Sequence, residues 1–161
     1  MTRSKYRQQN AKRIKAKEYG MKALGHVHPE HDYIVARQER YIAAWKSGSP
    51  DKIMAFMDSK ELHYSVPAMG HEGLSHSATK ELFAKNVSGF HDLDIKTRSL
   101  HGHKHFTTWE WTLTCKGGVG SNGERLSIED ASPKEMIGCN LMWWNNDDKI
   151  IRNHEYGQLI E

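Results

Sequence analysis

The sequence predicts an α+β fold in which N-terminal helices pack on one face of a bent antiparallel sheet. Two patterns indicate this fold. Apolar residues recur at helical spacing up to about residue 88, and they alternate with polar residues from residue 93 onward. Helices followed by a meander of strands are typical of an α+β domain. The 161 residues suit one domain with a single core, and no internal repeat divides them.

Three segments are predicted to be helical, namely residues 30–47, a short stretch that begins at Pro50, and about Ser77 to Ser88. In the first segment Ile34, Tyr41 and Trp45 fall on one stripe, which is the pattern of a helix with one buried face. Ser49 can cap the second helix, and a proline suits its first position because no backbone N–H is needed there. These helices should form one layer of the domain.

Five segments with alternating or β-branched residues are predicted strands: Glu61–Val66, Leu93–Leu100, Phe106–Lys116, Met136–Trp144 and Lys149–Tyr156. The polar turn Asn145–Asp148 joins the last two as a hairpin. Glycines and polar residues between positions 117 and 134 predict a flexible connection before that hairpin.

Basic residues concentrate at the start of the chain, where residues 1–25 hold eight Lys and Arg against one acid. We therefore predict a basic arm, residues 1–28, followed by one domain, residues 29–161. No nucleic-acid-binding motif follows the arm, so we do not expect nucleic acid as a partner. The chain has no apolar run that could span a membrane and no secretory signal, and we expect a cytoplasmic protein with two reduced cysteines.

The last predicted strand, Lys149–Tyr156, carries a carboxylate, Glu155, near its end. Alternation along a strand predicts that Ile151, Asn153 and Glu155 face the same side of the sheet. If that side is a closed cavity, Glu155 is a candidate for proton transfer, because burial shifts the pKa of a carboxyl group. If that side is solvent, Glu155 is only a surface charge. The sequence leaves both readings open.

Three motifs point to a family: Arg40-Tyr-Ile-Ala-Ala-Trp-Lys-Ser-Gly48, Thr108-Trp-Glu-Trp-Thr-Leu-Thr114 and Asp148-Lys-Ile-Ile-Arg-Asn-His-Glu-Tyr156. From about Asp32 to Gln158 the chain resembles the nuclear-transport-factor-2-like cone fold, and within it the SnoaL-like polyketide cyclases. The resemblance implies a cone-shaped fold whose strongly bent antiparallel sheet and N-terminal helices enclose a pocket.

The resemblance also implies roles for individual residues. Glu155 stands where SnoaL-like cyclases carry an acidic general acid/base. Tyr41 matches the oxyanion-binding tyrosine of ketosteroid isomerases, and Asn140 matches their second oxyanion donor. A core tyrosine satisfied by the backbone is the alternative for Tyr41. Val66 occupies the position of the isomerase general base, and Asn140 can donate but not titrate, so the combination argues against steroid isomerisation by the standard route.

Scytalone dehydratases share the fold and have a pocket tyrosine that matches Tyr64. Their two catalytic histidines have no clear counterpart, since the positions appear as Arg98 and as Glu135 or Ile137.

The predicted catalytic residues are therefore Glu155, Tyr41 and Asn140. The predicted substrate-binding residues, which would form the walls of the pocket, are Trp45, Tyr64, Val66, Phe83, Trp109, Trp111 and Asn153. For the strand 136–144 the pattern leaves open whether the odd or the even positions face inward.

Histidines suggest two further hypotheses. His101, His103 and His105 alternate as metal ligands on a strand would, but the resemblance places them exposed at a turn, and we predict no metal and no other cofactor. His63, His71 and His76 are expected near the mouth of the pocket, where one could relay protons.

The sequence thus favours a cofactor-independent cyclase, isomerase or dehydratase that acts by acid–base chemistry on a polyketide-like or otherwise enolisable small molecule, in secondary metabolism. The alternative is a non-catalytic member of the fold that binds a small molecule or a partner protein. A homodimer through the outer face of the sheet is expected, because Trp143 or Trp144 would expose an apolar patch there.

Overall fold

The computed structural model describes residues 29–117, 127–129 and 132–160, with the side chain of Ser88 excepted. The predicted basic arm and most of the predicted connection between positions 117 and 134 lie outside these residues. The described elements are helices α1 (His31–Lys46), α2 (Pro50–Met54) and α3 (His76–Asn86), and strands β1 (His63–Val66), β2 (His71–Leu74), β3 (Phe90–His103), β4 (Phe106–Gly117), β5 (Pro133–Trp144) and β6 (Ile150–Ile160). Helices precede a long meander of strands, so the α+β prediction is confirmed.

The three predicted helices form close to their predicted bounds. Ile34 and Tyr41 of α1 are buried against the sheet. The side chain of Ser49 accepts a hydrogen bond from the backbone N–H of Lys52 at 3.4 Å, as a cap of α2 should. Helix α3 begins one residue before its predicted start, and its cap is Ser75, which accepts from the backbone N–H of Ala78. None of the described helices is long and apolar enough to cross a membrane.

The strands form one six-stranded sheet in the order β2-β1-β6-β5-β4-β3. Its neighbours are antiparallel except for β1 and β6, which are parallel, so the prediction of a purely antiparallel sheet was wrong in this place. The reason is topological, because the meander returns β6 to the free edge of β1 running in the same direction. Strand β2 was not predicted, since His71–Leu74 is short and its glycine reads as a turn.

A β-bulge interrupts the pairing of β5 with β6. Trp144 pairs with Ile150 and Trp143 pairs with Arg152, so Ile151 is an extra residue on β6. The bulge shifts the alternation by one position, and Ile150 rather than Ile151 is fully buried like Asn153. The prediction that Ile151 shares the face of Asn153 was therefore wrong, because simple alternation ignores an inserted residue.

Arg37 ties α1 to the sheet, although its guanidinium is almost completely buried. Its Nη1 donates to the backbone oxygen of Lys104 at 2.7 Å and to Asp148 Oδ1 at 3.1 Å. The guanidinium also lies 3.8 Å from the ring centre of Trp144. Lys104 belongs to the β3–β4 turn and Asp148 to the β5–β6 turn, so one side chain fixes the helix to both hairpins.

Candidate active site

A cavity of about 130 Å³ lies between the helices and the inner face of the sheet. Nine of the ten predicted site residues line it: Glu155, Tyr41, Asn140, Trp45, Tyr64, Val66, Phe83, Trp109 and Trp111. The tenth, Asn153, lies behind this surface and contacts Asn140. The remaining lining residues are mostly aliphatic, and no lysine, arginine or histidine is among the lining residues in the described part of the chain.

Glu155 enters the cavity from β6, directly opposite Asn140 on β5. Its Oε2 accepts hydrogen bonds from the hydroxyl of Tyr64 and from Asn140 Nδ2, the latter at 3.3 Å. Burial raises the pKa of the Glu155 carboxyl, and these two hydrogen bonds partly offset the increase because they favour the ionised form. The carboxyl group therefore combines a deep position with direct access to the cavity.

The orientation of the Asn140 amide follows from its neighbours. Its Oδ1 accepts from the indole N–H of Trp111 at 2.6 Å, so its Nδ2 must point away from Trp111. Nδ2 then donates to Asn153 Oδ1 at 3.0 Å and to Glu155. Both amide hydrogens are thus engaged in holding other side chains. The structure also shows that the even positions 140, 142 and 144 of β5 face inward.

Two glycines make room for Trp111 on the inner face. Gly138 on β5 pairs with Trp111, and Gly157 on β6 pairs with Gly138, so the three residues form one row across the sheet. A Cβ atom at Gly138 would lie 2.2 Å from the indole ring, and one at Gly157 would lie 3.3 Å from it. The indole therefore lies flat across two strands, which brings its N–H to Asn140.

The hydroxyl of Tyr41 is buried and has no hydrogen-bond partner among the described residues. Its ring packs edge-on against Phe56, Trp109 and Trp144 at centroid distances of 5.3, 6.2 and 6.5 Å. Burial raises the pKa of Tyr41; the nearby Trp45 side chain opposes the increase and the charge of Glu155 adds to it. Tyr41 is thus part of the hydrophobic core, as the alternative expected, but no backbone group among the described residues satisfies its hydroxyl, which keeps its proton at the cavity wall.

The candidate histidines lie elsewhere. His101, His103 and His105 are exposed at the β3–β4 hairpin, and the described residues contain no group of three side chains arranged to hold a metal ion. His63, His71 and His76 were expected near the mouth of the pocket, but none of them lines the cavity. His63 instead lines a groove on the outer face of the sheet.

Sequence reasoning missed the polar residue Asn86, which lines the cavity from the last turn of α3. Its side-chain amide offers a donor and an acceptor on the helical side of the cavity. The only available signal was its position at the end of a predicted helix, and that position is equally typical of a capping residue.

The order of helices and strands agrees with that of a known fold. The chain has the nuclear-transport-factor-2-like fold that SnoaL-like polyketide cyclases and ketosteroid isomerases share, which confirms the resemblance. No family model matches the chain.

Individual proteins are similar to this chain at low sequence identity. The cyclase aurE of Calcarisporium arbuscula is 28% identical over 126 residues, which cover 78% of this chain and 87% of that protein. The pinacolase BvnE of Penicillium brevicompactum aligns with a TM-score of 0.62 and 8% identity over 79% of this chain and 86% of its own. A Shewanella denitrificans protein described as a SnoaL-like polyketide cyclase aligns with a TM-score of 0.63 and 6% identity over 76% of this chain and 88% of its own.

Proposed function

We propose that this protein is a cofactor-independent cyclase, isomerase or dehydratase that acts by acid–base chemistry on an uncharged, enolisable, polyketide-like molecule in secondary metabolism. The observation that carries the proposal is the carboxyl group of Glu155 at the wall of an apolar cavity, with its pKa raised by burial. A general acid/base works best when its pKa approaches the operating pH. The similarity to the cyclase aurE supports the proposed reaction class.

In the proposed step, Glu155 removes a proton from a carbon next to a carbonyl group. The C–H bond breaks, an O–H bond forms on the carboxylate, and the electron pair moves to the carbonyl oxygen to give an enolate. The hydroxyl of Tyr41, which has no partner among the described residues, donates a hydrogen bond to that oxygen. In a cyclisation the enolate carbon bonds to a carbonyl carbon of the same molecule, and Glu155 gives its proton to the alkoxide that forms. In an isomerisation Glu155 gives the same proton to the γ carbon of a conjugated dienolate. In a dehydration the enolate expels a β-hydroxyl group, and the proton from Glu155 lets that group leave as water.

Asn140 serves this step through Glu155. Its two amide hydrogens are engaged by Glu155 and Asn153, so it could help an enolate oxygen only by giving up one of these bonds. Asn153 accordingly acts by orienting Asn140 rather than by touching the substrate.

The walls set the kind of molecule that fits. Rings of Trp45, Phe83, Trp109 and Trp111 border the cavity, and a flat conjugated ligand would bury its faces against them. Among the described residues that line the cavity there is no cationic side chain that could pair with an anion. A second negative charge beside Glu155 would therefore be energetically unfavourable. The part of the substrate that enters should therefore be uncharged. The cone-like bend of the sheet that the resemblance implies belongs to this proposal, because it would close the cavity to water.

The test is exchange of the substrate α-proton with deuterated solvent, followed by NMR over a panel of enolisable aromatic polyketides. Glu155→Gln keeps the shape but removes the titratable group, so the exchange rate should fall ~10²–10⁴-fold. Tyr41→Phe should cost about tenfold or more, because one oxyanion donor is lost.

The matched control is Glu110→Gln, which changes an exposed carboxylate on β4, two strands away from β6. This carboxylate accepts a hydrogen bond from Ser99 and does not line the cavity. The variant should exchange at the wild-type rate. If Glu155→Gln also exchanges an accepted substrate at the wild-type rate, the proposed function is wrong. If no panel member exchanges but several bind, the non-catalytic binding alternative replaces it.

A further inference from the structure

The two oxygens of the Glu155 carboxylate have different surroundings. Oε2 accepts from two donors, the hydroxyl of Tyr64 and the amide of Asn140. Oε1 has no hydrogen-bond partner among the described residues, although the residue lines the cavity. A carboxylate held in this way presents one oxygen to its support and the other to the ligand.

Tyr64 reaches Glu155 because of the parallel pairing of β1 with β6. In that pairing Tyr64 lies opposite Asn153, two residues before Glu155 on the same face. Its ring is almost completely buried and packs edge-on against Phe83 with 5.3 Å between the centroids. Burial raises the pKa of the Tyr64 phenol, and the charge of Glu155 raises it further, so the phenol keeps its proton and remains a donor.

Asn140 completes the support from the other side. Trp111 and Asn153 fix the amide, so the donor that reaches Oε2 cannot rotate away without breaking two other hydrogen bonds. Tyr64 and Asn140 come from strands on opposite sides of β6. The carboxylate is therefore held from both neighbouring strands.

We propose that Tyr64 is a positioning residue that, together with Asn140, holds Oε2 of Glu155 and leaves Oε1 as the oxygen that exchanges protons with the ligand. This inference rests on the proposed function for the identity of the proton acceptor. It assigns Tyr64 to the carboxylate rather than to the substrate, which differs from the wall role that the resemblance implied. The physical reason is that a carboxylate with one oxygen held cannot interchange its oxygens by rotation, so its free oxygen keeps a fixed direction.

The test is Tyr64→Phe, which keeps the ring in place and removes only the hydroxyl. The protonation of Glu155 is followed by difference infrared spectroscopy of the protein without ligand, and the Glu155→Gln variant identifies its carboxyl band. The Tyr64 hydroxyl donates to the ionised carboxylate, so its loss should raise the pKa of Glu155 and move the ionisation to higher pH. On an accepted substrate, kcat should fall about tenfold or more while KM changes less than about threefold.

Tyr41→Phe is the matched control, because it removes a second phenol of the same cavity that makes no hydrogen bond to Glu155. It should move the ionisation of Glu155 much less than Tyr64→Phe does. If Tyr64→Phe does not fold, replacing Tyr64 with 3-fluorotyrosine gives the opposite change: a more acidic phenol is a stronger donor, and the ionisation should move to lower pH.

The outcomes separate the two proposals. An unmoved ionisation of Glu155 in the folded Tyr64 variants overturns the role of Tyr64, whatever their activity. Wild-type turnover by Glu155→Gln overturns the proposed function, whatever the infrared titration shows.

Discussion

The indole ring of Trp111 lies over Gly138 so closely that an added Cβ atom would stand 2.2 Å from it. This contact matters beyond packing, because the same indole orients Asn140, and Asn140 donates to Glu155. The missing side chain of Gly138 thus leaves room for Trp111, which orients Asn140 and, through it, the carboxylate of Glu155.

Gly138→Ala should therefore destabilise the protein, although alanine usually suits a strand better than glycine does. The methyl group must displace the Trp111 ring, and overpacking of this kind costs about 1–3 kcal/mol of the free energy of unfolding. Urea denaturation measures the change, and altered tryptophan fluorescence should accompany it.

Gly157→Ala is the matched control for this prediction. Its Cβ atom would lie 3.3 Å from the same ring, which a small adjustment of the indole relieves. Gly138→Ala with the stability and fluorescence of the wild type would contradict the proposed packing.

The carboxyl group of Glu155 should make stability depend on pH. Its pKa is raised in the native state, so over part of the pH range the native protein keeps a proton that the unfolded chain has released. Below the ordinary carboxyl pKa both states are protonated and no penalty exists. As the pH rises from there through the raised pKa, stability is lost, and above it the loss stays constant.

Glu155→Gln removes this dependence, so the variant should gain stability relative to the wild type between acidic and mildly alkaline pH. Urea midpoints of both proteins at the two ends of that range measure the difference in stability between variant and wild type. Other carboxyl groups, such as Asp148 with its lowered pKa, contribute equally to both proteins, so their opposite pH dependence cancels in the difference. A Glu155→Gln difference that is the same at both pH values would show that the native pKa is not raised.

The predicted homodimer depends on the outer face of the sheet. Trp144 is buried on the inner face, so Trp143 and the exposed Tyr156 carry the apolar character of the outer face. Light scattering at micromolar concentration should give twice the mass of the chain. Tyr156→Asp should lower it to one chain, because a charge would be buried at the interface. Lys85→Glu, on the exposed side of α3, is the control and should leave the mass unchanged.

The basic arm, residues 1–28, remains a sequence-based prediction of a segment that the domain does not need. Deletion of these residues should leave the melting temperature of the domain nearly unchanged, because their few apolar residues cannot bury a face alone. Calorimetry of the shortened and full-length chains measures this. A large decrease would mean that the arm packs on the domain or on a second copy.

Much of the fold could be predicted because its signals are local. Ser49 and Pro50 marked the start of a helix, and alternation of apolar and polar residues marked the four long strands β3 to β6. The structure shows this helix and these strands. The parallel pairing of β1 with β6 could not be predicted, because it depends on where distant segments meet and not on any pattern within Glu61–Val66.

Sequence reasoning predicted which residues line the site, but not the hydrogen bonds that join them. Resemblance brought Glu155, Tyr41 and Asn140 together, whereas the hydrogen bond from Tyr64 to Glu155 joins strands that lie 91 residues apart in sequence. Such a contact requires both the register of the parallel pair and the bulge at Ile151. Neither leaves a readable trace in the residue types.

The bulge decides which chemical group enters the cavity. With Ile151 as an extra residue, Glu155 stands opposite Asn140, while His154 points outward towards Trp143. Regular pairing from Trp144 and Ile150 onward would bring His154 to the position opposite Asn140 instead, and turn Glu155 to the outer face. Strand β6 thus holds a carboxylate and an imidazole at adjacent positions, and a shift of one residue would exchange one proton carrier of the cavity for the other. The same shift would place Tyr156 opposite Gly138, beside the indole ring of Trp111, so the inserted residue determines both the acid–base group of the cavity and the fit of its wall.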